Sequence, residues 1–135
     1  MYLEALYHRQ YPDDIMAVLS MLGPTDDVIL PGDMDIIATP TDFLGVNYYT
    51  RTIVRAGTGP SGLPEVVTPG GPLTVMGWVV YPQGLRDLLL HVHQTYKPAR
   101  IYVTENGAAY PDALLPDGSV HDPDRTRYLQ LHFDA

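Results

Sequence analysis

Two short runs of apolar residues, Phe43 to Val46 and Ile101 to Val103, are continuous rather than alternating, and each stops at a polar cluster. An unbroken run is the pattern of a strand covered on both faces, as in a parallel sheet. The first run ends in Asn47, Tyr48 and Tyr49; the second passes through Thr104 into Glu105, after which Asn106-Gly107 turns the chain. Other stretches have helical spacing. Leu85, Leu88, Leu89, Val92 and Tyr96 predict a helix over Pro82–Tyr96 that stops before Pro98. Ile15, Val18, Leu19 and Leu22 fall at i, i+3, i+4 and i+7, behind a Tyr-Pro-Asp-Asp start. They predict a helix over residues 1–22, closed by Gly23-Pro24, whose apolar face packs on a sheet. A short helical turn follows at Pro31–Ala38, and a last helix opens at Asp122-Pro123 and runs through Tyr128, Leu129 and Phe133 to the end of the chain.

Strand, crossover helix and strand make the unit from which parallel sheets are built. Such sheets place their ligands at the carboxyl ends of strands, which is where Glu105 falls. Read alone, Arg100–Gly107 also fits a hairpin, because Asn-Gly is the strongest two-residue hairpin signal. Between the two runs, residues 56–74 hold five glycines and four prolines with Glu65 as the only charge. That composition predicts a long surface loop with neither helix nor strand.

Composition then removes whole classes of function. Sixteen acidic against eight basic side chains give a net charge of -8. With no basic cluster anywhere, nucleic acid is not an expected partner. No cysteine is present, so disulfides and thiolate metal sites are excluded. His91 and His93 lie two apart on a helix, and His8, His121 and His132 are scattered, so neither a metal nor another cofactor is expected. No stretch approaches the roughly 18 apolar residues needed to span a bilayer, and the first residues lack the pattern of a secretory signal. A cytoplasmic protein without a membrane partner is the expectation.

Three phrases now become informative together: Asp-Phe-Leu-Gly-Val-Asn-Tyr-Tyr-Thr at 42–50, Met-Gly-Trp-Val-Val-Tyr-Pro-Gln-Gly-Leu at 76–85 and Tyr-Val-Thr-Glu-Asn-Gly-Ala-Ala-Tyr at 102–110. In this order and spacing the chain resembles the second half of family 1 glycoside hydrolases, the retaining β-glucosidases and β-galactosidases, from about Tyr2 onward. The resemblance implies an α/β fold that is part of a TIM (β/α)8 barrel, with about two barrel strands, the sixth and seventh, and flanking helices. A complete barrel takes roughly 250 residues, so these 135 are expected to form one partial domain with no second domain. The helix at the start would follow the fifth strand, with Leu3-Glu4-Ala5 where the family usually has Leu-Asp-Pro. The 56–74 loop would wall the active site.

The resemblance also assigns roles. Glu105 matches the family's nucleophile, and Tyr49 the tyrosine that holds it. A carboxylate nucleophile must be ionised and aimed, and a phenol donating to it serves both ends. Asn47 resembles the asparagine lining the sugar site, Trp78 the aromatic platform of the next subsite, and Asn106 lies beside the nucleophile as a further substrate contact. Tyr48 reads as core. The implied substrate is a β-glucoside or small oligosaccharide. The family's acid/base glutamate sits in an Asn-Glu-Pro motif, which does not occur here. The chain is therefore expected to need association with the rest of a barrel, or with another copy, for turnover. The alternative is a non-catalytic fragment or sugar-binding half-barrel.

Overall fold

The computed structural model describes residues 2–25, 28–58, 63–68 and 70–135. The chain groups into two compact units, Met1–Leu44 with Val92–Ile101, and Gly45–His91 with Tyr102–Ala135. In chain order the elements are a π-helical turn at Glu4–His8, helices α1 (Asp13–Leu22) and α2 (Asp33–Ile37), strands β1 (Leu44–Asn47), β2 (Ile53–Arg55) and β3 (Glu65–Val67), helix α3 (Pro82–Tyr96), strand β4 (Ile101–Glu105) and helix α4 (Pro123–Phe133).

β1 and β4 pair side by side. The Leu44 amide donates to the Arg100 carbonyl at 2.8 Å near their beginnings, and the Tyr48 amide donates to the Glu105 carbonyl at 2.9 Å past their ends. Like ends therefore meet, and the strands run in the same direction. Neither is a hairpin partner of the other, since the whole of α3 lies between them in sequence. The Asn106-Gly107 step consequently leads out of a parallel strand end rather than around a hairpin.

In the first unit the helix expected over residues 1–22 is interrupted. Arg9 adopts the left-handed conformation at φ 60°, and helix resumes only at Asp13. Pro12 explains the break: it lacks an N–H and biases Tyr11 toward an extended backbone. Around the first turn, Glu4 accepts hydrogen bonds from the Tyr96 hydroxyl at 2.8 Å and His8 Nδ1 at 2.7 Å. His8 first and then Tyr96 hold its carboxyl below the usual carboxylate range. The packing expected of α1 is absent: none of its residues is buried, with Val18 56% and Leu22 82% exposed. An amphipathic stripe is a necessary partner of a core, not proof of one.

The second unit corrects the reading of 56–74 as strandless. β2 and β3 form an antiparallel pair with Ile53 opposite Val67, Val54 opposite Val66 and Arg55 opposite Glu65. Arg55 Nε and Nη2 both donate to Glu65 Oε2, at 2.9 and 2.8 Å. β-Branched residues and a cross-strand ion pair are enough to order three residues on each side in a glycine- and proline-rich segment. Residues 59–62 and 69 of that loop lie outside the described residues. At the other end of the unit α4 is capped as its sequence suggests, the Asp122 carboxylate accepting from the Arg125 amide with proline at the first helical position.

Tyr48, Val79, Leu85 and Tyr128 are the buried hydrophobic residues of this unit. Tyr48 is core, as expected, but its hydroxyl also donates to the Tyr81 carbonyl at 2.6 Å. Gly84 makes that approach sterically feasible. A Cβ there would stand 2.2 Å from the Tyr48 hydroxyl and 2.8 Å from Tyr81 Cδ1.

Candidate active site

The site is built at the carboxyl ends of β1 and β4. Glu105 is the last residue of β4 and exposed; Tyr49 lies two residues beyond the end of β1 and is half-buried. The Tyr49 hydroxyl donates to Glu105 Oε2 across 56 residues of sequence. That hydrogen bond, with burial as the second cause, pushes the Tyr49 phenol up, so it stays a protonated donor at neutral pH. The carboxylate is thereby engaged at one of its two oxygens.

Trp78 stands against Tyr49, ring centroids 5.7 Å apart and planes tilted by 56°. A tight turn positions it: the Gly77 amide donates to the Thr74 carbonyl at 2.9 Å with Gly77 at φ 73°, and the Trp78 amide donates to Thr74 Oγ1 at 3.2 Å. Trp78 is half-buried and borders a cleft of about 230 Å³ together with Arg51, Ile53, Val66, Thr68 and Val79. The β2–β3 hairpin therefore forms a wall of this cleft. Arg51 lays its guanidinium over the Tyr81 ring, 3.7 Å from the centroid.

Asn47 ends β1 with its side chain exposed, Oδ1 accepting from Thr104 Oγ1 at 2.7 Å. Asn106 is different. Its Nδ2 is taken up inside the protein, donating to the Tyr48 carbonyl at 2.8 Å and to the Tyr128 hydroxyl at 3.2 Å. Its Oδ1 is buried and without a partner. The geometry thus groups Glu105, Tyr49, Trp78 and Asn47 at the strand ends and gives Asn106 an inward set of contacts where a substrate contact was expected.

Two residues here escape sequence reasoning. Tyr128 of α4 is 1% exposed, and its hydroxyl donates to the Tyr49 carbonyl at 3.0 Å. His132, 4% exposed, stacks on it with centroids 4.0 Å apart while its Nδ1 donates to the Tyr128 carbonyl at 2.8 Å. The only sequence signal is that two polar-capable rings stand four apart on one helix face. Among the described residues no group of three His, Asp or Glu could hold a metal ion, and no helix is long and apolar enough to cross a membrane.

A carboxylate held by a phenol thus stands at the end of a parallel strand, with an indole beside the phenol. The sequence profile of glycosyl hydrolase family 1 matches residues 1–135, and the chain belongs to that family. It is 33% identical over 134 residues to the 1,4-beta-D-glucan glucohydrolase of Thermotoga neapolitana, covering 99% of this chain and 31% of that protein. With the bifunctional beta-D-glucosidase/beta-D-fucosidase of Bifidobacterium breve it shares 34% over 153 residues, covering 99% and 33% respectively.

Solved structures agree with these relatives. The family 1 β-glucosidase from Thermotoga maritima in complex with isofagomine lactam superposes with a TM-score of 0.85 at 34% identity, over 98% of this chain and 29% of that one. The GH1 β-glucosidase from Exiguobacterium antarcticum B7 gives 0.90 at 36% identity, over 98% and 30%. The fold is accordingly a portion of a TIM barrel, and the chain spans about a third of the length of the relatives it matches.

Proposed function

We propose that the protein carrying this chain hydrolyses terminal β-glucosidic bonds with retention of configuration, and that Glu105 is its nucleophile. The observation that carries this reading is the Tyr49 hydroxyl donating to the Glu105 carboxylate at the carboxyl ends of paired parallel strands. β1 and β4 are then the sixth and seventh strands of one barrel domain, and residues 1–135 contribute part of that domain.

In the first step Glu105 attacks the anomeric carbon, the glycosidic bond breaks, and the leaving oxygen takes a proton from a second carboxylic acid. Water, deprotonated by that same group, then releases the sugar from Glu105. The second group must stand about 5 to 5.5 Å from the first. No Asn-Glu-Pro motif is present to supply it, so the proposal places it outside these residues. Tyr49 keeps one Glu105 oxygen engaged and the other aimed, and Trp78 offers a flat apolar face to the sugar or its leaving group. The relatives' names, a 1,4-beta-D-glucan glucohydrolase and a beta-D-glucosidase/beta-D-fucosidase, support glucosides as the substrate class.

The test is Glu105→Gly in the full-length protein, assayed with p-nitrophenyl β-glucoside. Turnover is expected to fall about 1000-fold or more, and added azide is expected to restore it by taking the nucleophile's place. Unchanged turnover in the variant contradicts the proposal.

A further inference from the structure

We infer that Tyr128 is a positioning residue for the Glu105–Tyr49 pair, acting from α4 through the backbone of both strand ends. The inference rests on the reading of Glu105 as nucleophile and concerns a residue that touches neither the carboxylate nor the cleft beside Trp78.

The Tyr128 hydroxyl is a junction. It donates to the carbonyl of Tyr49, the residue whose phenol holds Glu105, at 3.0 Å. It accepts from Nδ2 of Asn106, the residue that follows Glu105 in the chain, at 3.2 Å. The same Nδ2 donates to the Tyr48 carbonyl at 2.8 Å, so one hydroxyl and one amide tie the end of β1 to the end of β4. Glu105 and Tyr49 are carried on those tied segments, which are also joined by the Tyr48 amide donating to the Glu105 carbonyl at 2.9 Å and by the hydrogen bond between the two side chains. A phenol without this tie would still meet a carboxylate, but the pair as a whole could shift, and misplacement by about 1 Å is enough to lose about 100-fold in rate.

The junction is itself held. His132 covers the Tyr128 ring with centroids 4.0 Å apart and donates from Nδ1 to the Tyr128 carbonyl, one turn back on α4. Tyr48 also approaches His132, at 6.0 Å between centroids. At 1% exposure Tyr128 has no freedom to leave, and its burial pushes the phenol up against the opposing effect of the Asn106 and Gly107 hydrogen bonds. A buried tyrosine needs a partner for its hydroxyl. Here it has partners on both strand ends at once, which packing alone does not require.

Tyr128→Phe keeps the ring and removes the junction. In the full-length enzyme we expect kcat to fall about 10- to 100-fold with KM changed less than about twofold, and labelling of Glu105 by a fluoro-glycoside inactivator to slow by the same factor as kcat. Because the effect runs through Tyr49, Tyr128→Phe in a Tyr49→Phe background should add less than about threefold, whereas independent losses multiply. Asn106→Leu, which removes the other member of the tie at similar volume, should lower kcat with little effect on KM; a loss confined to KM would make Asn106 a substrate contact and overturn the inference. An unchanged kcat in Tyr128→Phe, or losses that multiply with Tyr49→Phe, would also overturn it. So would failure of both single variants to fold, since a tie between strand ends leaves the apolar core intact. If Glu105→Gly retained activity, the nucleophile assignment would fail first, and the two failures are distinguishable.

Discussion

α1 and α4 show opposite fates for a surface pattern. α1 presents Ile15, Val18, Leu19 and Leu22 at regular helical spacing, yet buries none of them. α4 is the more polar helix, with Arg125, Arg127, Gln130 and His132 in its eleven residues, yet it buries Tyr128 and His132 almost completely. Apolar periodicity records that a face needs a neighbour; it does not supply the neighbour. For α1, none of the described residues buries that face. For α4 the neighbours are the strand ends that carry the site.

The sharpest way to break that contrast is to remove both side chains. Tyr128→Ala should destabilise the 135-residue chain by about 3 kcal/mol or more, through lost burial and orphaned partners, while Leu22→Ala changes it by less than about 0.5 kcal/mol. Urea unfolding of the two variants decides it. In the full-length barrel, Leu22→Ala should instead cost about 2 kcal/mol or more if elements outside the chain cover α1. An equal, small effect in both contexts would mean that α1 is a solvated helix and the contrast is trivial.

A functional version of the contrast comes next in size. Tyr49→Phe in the full-length enzyme should lower kcat about 100-fold, the typical loss when one positioned donor is removed. Val18→Ser on the exposed face of α1 should leave kcat within about twofold, because substitution of an exposed side chain is usually close to neutral. Steady-state kinetics on the two variants separate the regions.

The smallest effect is on alkaline stability. Burial, the largest cause for both, pushes the phenols of Tyr48 and Tyr128 up from their ordinary value. Folding therefore favours the protonated forms: their contribution is complete below about pH 10, the unperturbed tyrosine value, and is lost as pH rises through the higher folded values. Unfolding free energy should decline above that pH together with tyrosinate absorbance, and Tyr48→Phe should flatten the decline. A decline as steep in the variant would assign the effect to other groups.

These residues also explain what was legible in the sequence. α3 has the bounds its leucine spacing and flanking prolines predict, because that signal is local. Glu105 at a strand end was readable for the same reason, and its hydrogen bond to Tyr49 follows once two strand-end clusters share one sheet. The β2–β3 hairpin was hidden, since its order depends on Arg55 meeting Glu65 ten residues away across glycines and prolines. The interruption after His8 has a local signal in Pro12, which the regular apolar spacing of residues 15–22 masks. Tyr128 was legible as a position on the last helix but not as a junction, because its hydroxyl reaches a carbonyl 79 residues earlier in the chain.

The central claim is that Glu105 is the carboxylate that bonds to sugar. The full-length protein, inactivated with a fluoro-glycoside that traps the glycosyl–enzyme intermediate, digested and mapped by mass spectrometry, tests it most directly. A single added sugar is expected on the peptide containing Thr104-Glu105-Asn106, absent when Glu105 is replaced by Gln; the sugar on any other carboxylate, or stoichiometric labelling that survives Glu105→Gln, would overturn the assignment.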